Sequence, residues 1–445
     1  MNENLHPGEE WRDTAGNTIQ AHGGGILRFE DAYYWYGEHR VPNQGNSIGV
    51  SVYRSSDLVN WKFEGLALKR GGHTDTGPDM VLERPKVLHN FQTGNFIMWM
   101  HIDSPDYGWA RVGVAVSKTP LGPFSFERSF RPHDQESRDF TVWQDDEDPN
   151  KAAYIAYSSE NNMTMHIDRL TSDYRDVSSR DPCRAFVQQQ KEAPAFFKYK
   201  GLFFMATSGC SGWKPNRLEV FWSRELLGEW KSLGDPCVGS PDQNNTFRSQ
   251  PNFVLAVPGH AGCFVFMADR WDQTQNGQTN TEIHASRYVW LPLCLQELPE
   301  GTSDPPVKLE IRWRDVWSFQ SIQEERSEAL SQAAQHGQLQ DVRALVAAGA
   351  SPEFRGQRGW TAIMFAASRG RADIVRLLVD GQADVNARCE TGSTALMHAA
   401  WAGRLDVVRY LVSVGASRDA MDNEGRTAAM TAADRGHAAI VQALD

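Results

Sequence analysis

His22-Gly-Gly-Gly-Ile-Leu27, Glu83-Arg-Pro-Lys-Val-Leu88, Asp139-Phe-Thr-Val-Trp143, Glu192-Ala-Pro-Ala-Phe-Phe197 and Gln250-Pro-Asn-Phe-Val254 are five short apolar runs, each headed by polar residues. The heads stand 61, 56, 53 and 58 residues apart. Behind each come two more runs rich in Tyr, Trp, Phe, Val and Ile, such as Tyr33-Tyr-Trp-Tyr36 with Ile48-Gly-Val-Ser-Val-Tyr53. Aromatic and β-branched residues in runs of this length read as strands. Several strands per unit, repeated five times with no helical pattern between them, predict an all-β five-bladed β-propeller over residues 1–320. A two-sheet sandwich is the alternative, but it gives no reason for polar heads at one recurring position. The closing strand is expected within Leu309–Phe319. Innermost propeller strands start at a common axial end, so five residues distant in sequence are expected to converge on one pocket.

A second, faster period occupies the C-terminal segment. Gly337, Gly370, Gly403 and Gly436 recur every 33 residues, Thr361, Thr394 and Thr427 keep the same interval, and so do Ala350, Ala383 and Ala416. Each unit reads as a turn, a short helix such as Thr394-Ala-Leu-Met-His-Ala-Ala400, a glycine break, and a second helix such as Leu405-Asp-Val-Val-Arg-Tyr-Leu-Val412. Val407, Val408, Leu411 and Val412 form an apolar stripe that each unit must bury against its neighbour. The pattern resembles ankyrin repeats. About four are expected in an α-helical domain over 321–445, the first beginning near Glu328. Trp360, Phe365 and Trp401 fall near the turns and first helices, where a protein partner or the propeller would cover them.

A chain of 445 residues accommodates two to four domains at about 100–200 residues each. The formal net charge of −11, with no basic tract, disfavours nucleic acid as a partner. Six scattered cysteines without a Cys-x-x-Cys pair suggest neither a zinc knuckle nor a disulfide framework, so reduced thiols are expected. No apolar stretch is long enough for a membrane span, and Met1–Arg12 is polar, unlike a signal peptide. A cytoplasmic protein without a membrane partner is the expectation, or a secreted one if a leader has been removed.

Glu83, Asp139 and Glu192 at equivalent blade positions make a carboxylate-rich pocket. Each could merely cap a strand or pair with Arg84 or Arg138, but three at one blade position speak against that for all of them, and carboxylates at fixed separation flanking a pocket are what glycosidic bond cleavage needs. One group is protonated for the leaving oxygen, and an opposite group activates water.

Gln20-Ala-His-Gly-Gly-Gly, Tyr34-Trp-Tyr-Gly-Glu38, Glu83-Arg-Pro-Lys-Val, Ser137-Arg-Asp139, Ser158-Ser-Glu-Asn-Asn162, Glu192-Ala-Pro, Ser211-Gly-Trp213, Asp269-Arg-Trp and Arg287-Tyr-Val-Trp together resemble glycoside hydrolase family 43, and within it the exo-β-1,3-galactanase subgroup. The resemblance runs from about Trp11 to Phe319. It implies a five-bladed propeller, inversion at the anomeric carbon and no required cofactor. It also implies Glu192 as general acid, with Asp139 raising the pKa of that acid and orienting it. Most of the family places an aspartate base in the first blade, where this chain has only Ala21, His22 and three glycines. The galactanase-like subgroup shares that gap and implies Gln250 as the residue that positions water, with Glu83 as alternative base or sugar ligand. Glu38, Tyr107, Asn162 and Trp213 match sugar-binding positions, and flat aromatic faces with nearby carboxylates or amides suit galactose. Asp269 and Arg270 are expected to form an ion pair near the pocket. His22 is a pocket wall or lies near an axial water or structural calcium, although no cluster of hard oxygen ligands is readable.

The resemblance therefore implies an exo-glycosidase acting on galactose-containing oligosaccharide or polysaccharide, with ankyrin repeats for a protein partner. Galactofuranose and arabinofuranose are alternative terminal sugars. A non-catalytic sugar-binding propeller is the alternative of a different class.

Overall fold

The computed structural model describes residues 2–42, 46–178, 182–212, 214–260, 262–271, 284–298, 301 and 303–445. Among the described residues up to 320, five sheets follow in chain order, antiparallel except for one short parallel pair in the fifth. The first holds β1 (His22–Phe29), β2 (Ala32–Glu38), β3 (Gly49–Ser55) and β4 (Lys62–Lys69). The second holds β5 (Val81–Asn90), β6 (Asn95–Asp103), β7 (Arg111–Ser117) and β8 (Ser125–Phe130), and the third β9 (Phe140–Gln144), β10 (Ala153–Ser159), β11 (Thr164–Arg169) and β12 (Cys183–Ala185). The fourth holds β13 (Lys191–Tyr199), β14 (Leu202–Gly209), β15 (Glu219–Ser223) and β16 (Lys231–Gly234). In the fifth, a short β17 (Cys237–Val238) runs parallel to β21 (Val307–Arg312) beside β20 (Arg287–Glu297), β19 (Cys263–Arg270) and β18 (Gln250–Ala256).

The middle strands are buried on both faces and are apolar almost throughout, as in β6, where every residue is buried, whereas the outer strands β4, β8 and β16 are largely exposed or half-buried and more polar. The core lies between sheets. Tyr34, Tyr36 and Val52 of the first pack with Met98 and Met100 of the second, and Trp99 and Val114 of the second pack with Val142 and Tyr157 of the third. The five inner strands β1, β5, β9, β13 and β18 each pack against both neighbours, which makes a five-bladed propeller.

β21 shares Leu309–Arg312 with the expected closing segment and completes the fifth sheet, while the first sheet takes all its strands from residues 22–69, so among the described residues the first and fifth sheets share no strand. The termini of the ring are joined by backbone and aromatic contacts instead. Leu5 and Trp317 exchange main-chain hydrogen bonds, Gly8 N donates to Tyr288 O, and the Trp11 ring sits 5.0 Å from Trp290, 5.6 Å from Tyr288 and 6.2 Å from Trp35.

Four helix pairs follow: α1 (Phe319–His336) with α2 (Leu339–Ala347), α3 (Ala362–Arg369) with α4 (Ala372–Asp380), α5 (Ala395–Trp401) with α6 (Leu405–Ser413), and α7 (Ala428–Asp434) with α8 (Ala438–Leu444). The first pair begins upstream of Glu328, because Ser318 and Ser321 form a reciprocal cap that starts α1 at Phe319. Gly337 and Gly370 are left-handed (φ 76° and 72°), and a Cβ on them would come within 2.5 Å of Arg371 Nε and 2.7 Å of Arg404 Cδ. The left-handed turn thus favours glycine at these positions, and the close approach of the next repeat adds to that at Gly337 and Gly370. Leu330, Val342, Val375, Leu378, Val408 and Leu411 are fully buried in one continuous core. Trp360 lies 4.0 Å from His398 and 5.0 Å from Phe365, whereas Trp401 is 53 % exposed with the Arg435 guanidinium over it. All six cysteines are free thiols.

Two compact units result. One contains Met1–Ala256, Phe264–Cys294 and Leu309–Trp317, and the other Val257–Cys263, Leu295–Lys308 and Ser318–Asp445. The division is thus not a single cut near residue 320. Among the described residues, no helix is long and apolar enough to cross a membrane.

Candidate active site

Four of the five inner strands shift register at the end where their polar heads stand: between His22 and Gly25, Glu83 and Lys86, Glu192 and Ala195, and Pro251 and Phe253. In three of them the residue after the head is left-handed, with φ 62° at Gly23, 52° at Arg84 and 54° at Ala193. Such bulges re-aim side chains that strict alternation would send to opposite faces. At the second blade the consequence is chemical, because Arg84 faces the axis together with Glu83.

Arg84 is the hub. Its Nε donates to Asp139 Oδ1 at 2.7 Å, one terminal nitrogen to Gln250 Oε1 at 2.7 Å, and the other to Asn252 Oδ1 at 3.3 Å. Its main-chain N–H donates to Glu38 Oε1 at 3.1 Å. Gln250 Nε2 donates in turn to Glu192 Oε1 at 3.0 Å and to Ser208 Oγ at 3.4 Å, while Trp271 Nε1 donates to Gln250 Oε1 at 3.0 Å. Arg and Trp can only donate here, so the orientation of the Gln250 amide follows from its partners. Four heads read from the sequence, Glu83, Asp139, Glu192 and Gln250, therefore belong to one connected cluster.

The carboxyls differ in charge state for identifiable reasons. Burial pushes Glu192 up to about 8, and Asp139 adds to the rise, against the opposing effects of Arg84, the Cys210 thiol and the Gln250 amide. Burial acts on Glu83 in the same sense, but His101, Arg40 and Tyr107 outweigh it and hold that carboxyl below its ordinary value. Tyr107 Oη donates to Glu83 Oε1 at 3.0 Å, and an Arg40 nitrogen lies 3.5 Å from the same oxygen.

Glu38 joins the cluster as a clamp between the first two blades. It is 1 % exposed, and its oxygens already accept from Arg40 and from the Arg84 main chain. A Cβ on Gly23 would stand 2.5 Å from Glu38 Oε1, so the first blade, lacking a carboxylate on its inner strand, receives one from β2. Gly24 is equally obligatory, since a Cβ there would meet Tyr36 O at 1.8 Å. Asn162 adjoins the acid through Cys210, whose Sγ is 4.0 Å from Asn162 O, and Asn162 Oδ1 is buried without a hydrogen-bond partner. Trp213 lies outside the described residues.

Asp269 and Arg270 do not pair. As strand neighbours they point to opposite sides: Asp269 Oδ2 accepts from Gly23 N at 2.5 Å near the axis, whereas Arg270 donates to Phe247 O and lies over Trp313. His22 is fully buried, stacked on Tyr288, and its pKa is well below the ordinary value through burial. Among the described residues, no group of three or more His, Cys, Asp or Glu is arranged to hold a metal ion. Arg84 as hub, Asn252, Cys210 and His101 escaped the sequence reading. Cross-strand position, with His101 directly opposite Glu83, is the signal that would have found the last of these.

A carboxyl kept protonated near neutrality beside ion-paired and amide groups can donate a proton to a leaving oxygen. Comparison with protein families matches residues 21–288 to "Glycosyl hydrolases family 43" and residues 330–422 to three copies of "Ankyrin repeats". The chain belongs to glycosyl hydrolase family 43. The family 43 enzyme is similar to a β-1,3-galactosidase of that family solved with galactodeoxynojirimycin, at 38 % identity and TM-score 0.63 over 71 % of this chain and 100 % of the other. It also resembles an exo-β-1,3-galactanase from Phanerochaete chrysosporium solved with β-1,3-galactotriose, at 36 % identity and TM-score 0.63, covering 72 % and 68 % of the two chains. An exo-β-1,3-galactanase from Clostridium thermocellum gives 38 % and 0.62 over 71 % and 66 %. No curated protein matches the chain. The glycoside hydrolase thus consists of a catalytic propeller fold followed by ankyrin repeats.

Proposed function

We propose that this glycoside hydrolase removes terminal β-1,3-linked galactose from galactan-derived chains with inversion, Glu192 acting as general acid. The observation that carries this is the Glu192 carboxyl, held up at about 8 in a cluster whose Asp139 is ion-paired with Arg84. The galactose-acting relatives at 36–38 % identity support the choice of sugar. Because Glu192 Oε1 accepts from Gln250, its acidic proton belongs on Oε2, which presents it to the glycosidic oxygen. Asp139 keeps the acid protonated until the leaving oxygen takes that proton. Tyr107 and Asn162 serve the sugar hydroxyls.

Gln250 holds the attacking water once sugar has displaced its contact with Glu192. That contact favours a second reading of the water's partner. Acid and water-activating groups of inverting glycosidases stand about 6.5–9.5 Å apart. The Gln250 amide is 3.0 Å from Glu192, and its oxygen already accepts from Arg84 and Trp271. Glu83, an anionic carboxyl, then takes the water's proton. The ankyrin repeats bind a protein partner through their turns and first helices.

The test is to incubate the enzyme with β-1,3-galactobiose, aryl β-galactosides and aryl arabinofuranosides, following the first-formed anomer by NMR. α-Galactose as first product is expected. First-formed β-galactose would remove the single displacement, and turnover of arabinofuranosides alone would remove galactose as the substrate.

A further inference from the structure

Glu83 faces His101 across the β5–β6 register, and His101 and Asp103, two apart on β6, share a face. Asp103 is fully buried. Its Oδ1 accepts from the main-chain N–H groups of Ser104, Trp109 and Ala110 at 2.9, 2.7 and 2.9 Å, leaving Oδ2 to meet His101 Nε2 at 3.0 Å. A carboxylate so held only accepts, so Nε2 carries a hydrogen. The other ring nitrogen, Nδ1, is buried without an aligned hydrogen bond and lies 3.4 Å from Glu83 Oε2. A bare Nδ1 there would set one lone pair against another in a site screened from water. One proton therefore resides between Nδ1 and Oε2, and with carboxylates on both sides it belongs to an imidazolium.

We infer that His101, fixed by Asp103, is a positioning residue that keeps Glu83 ionised and turned toward the substrate. The inference rests on the reading that Glu83 meets the substrate, as water's proton acceptor or as a sugar ligand, since both roles need the carboxylate. The other charged or titratable groups around Glu83 are Arg40 and Glu38 from the first blade, Arg84 beside it on β5, and Tyr107 from the loop after β6. Arg40 is shared with Glu38, which its nitrogen approaches at 2.5 Å against 3.5 Å for Glu83. His101 instead gives each carboxylate its own nitrogen, Nε2 to Asp103 at 3.0 Å and Nδ1 to Glu83 at 3.4 Å, whereas a single Arg40 nitrogen serves both Glu38 and Glu83. The pKa of His101 is raised to about 9, Asp103 and Glu83 outweighing burial.

The experiment compares pH profiles of kcat/KM for the full chain with those of His101→Gln, Asp103→Asn and Glu83→Gln. Losing the imidazolium lets burial raise Glu83, so the acid limb of His101→Gln moves up by about 1–3 pH units while the alkaline limb stays in place. Asp103→Asn can keep its three N–H contacts through Oδ1 while its amide donates to Nε2, turning the ring into a neutral Nδ1–H donor. Its acid limb moves the same way by less, and this variant decides the matter if His101→Gln fails to fold. A purely structural role would lower kcat/KM evenly across pH. If Glu83→Gln is inactive and the acid limb of each folded variant coincides with that of the parent, the role of His101 is wrong. If Glu83→Gln turns over like the parent, the reading of Glu83 itself fails and takes this inference with it.

Discussion

In the helical repeats, Val375, Val408 and Leu411 are fully buried against equivalent residues one period away, and the core contains almost no charge. In the propeller, Glu38, Glu83, Arg84, Asp103, Asp269 and Lys86 are buried although they come from three different sheets, and each is bound to another polar group. The first arrangement gains stability from apolar burial repeated unit by unit. The second concentrates desolvated charge, which adds little net stability, but it shifts proton affinities in opposite directions over a few ångströms. Glu192 is pushed up to about 8, Glu83 is held down, and Lys86 is pushed down to about 7 by burial. Chemistry belongs to the region whose packing is the more expensive.

Substitutions can break that contrast. The largest effect is expected for Glu192→Gln, which should lower kcat by about 10²–10⁴-fold while calorimetry still detects galactose binding. In the unmodified enzyme kcat/KM should fall as pH rises through about 8, since the acid must be protonated. Asp139→Asn should move that alkaline limb to lower pH, because it removes a repelling charge and frees Arg84.

Next comes Arg84→Gln. Breaking a buried ion pair leaves Asp139 without its cation and Gln250 without its anchor, so urea unfolding should show a loss of about 3–5 kcal/mol together with a collapse of turnover. Leu411→Ala sharpens the comparison from the other side. It should cost about 2–5 kcal/mol through the cavity it leaves among the repeats, with kcat/KM on galactobiose unchanged. Altered kinetics in that variant would mean that the repeats contribute to turnover. The smallest effect is expected for Thr394→Ala, which removes the Oγ1 that accepts from Met397 N at 3.4 Å, a cap of about 1 kcal/mol readable as a small shift in the urea midpoint.

Much of this was legible in the chain. Five polar-headed apolar runs were enough to place Glu83, Asp139, Glu192 and Gln250 on inner strands, because blade spacing is a property of strand and turn lengths. The 33-residue period revealed the repeats, whose glycines answer to local φ and to one neighbouring arginine or histidine. Arg84 was legible only as an ion-pair partner, since alternation sends the residue after Glu83 away from the axis unless a bulge intervenes. The pairing expected for Asp269 with Arg270 failed for the converse reason, as β19 pairs without interruption from Phe264 to Asp269 and the bulge lies on β18. Glu38 reads as a sugar ligand, and the structure shows its oxygens held by Arg40 and the Arg84 main chain in the space that Gly23 leaves.

Sequence alone determined the architecture, the family likeness and which polar residues head the inner strands, because these depend on periodicities of hydrophobicity along one dimension. Tertiary structure decided which carboxyl has its proton affinity pushed up, which has it held down and which is braced between two blades. Proton affinity depends on burial and on the few groups within hydrogen-bonding reach, and those neighbours come both from the adjacent strand, as His101 does for Glu83, and from other blades, as Asp139 does for Glu192, through register and bulges that no linear pattern records.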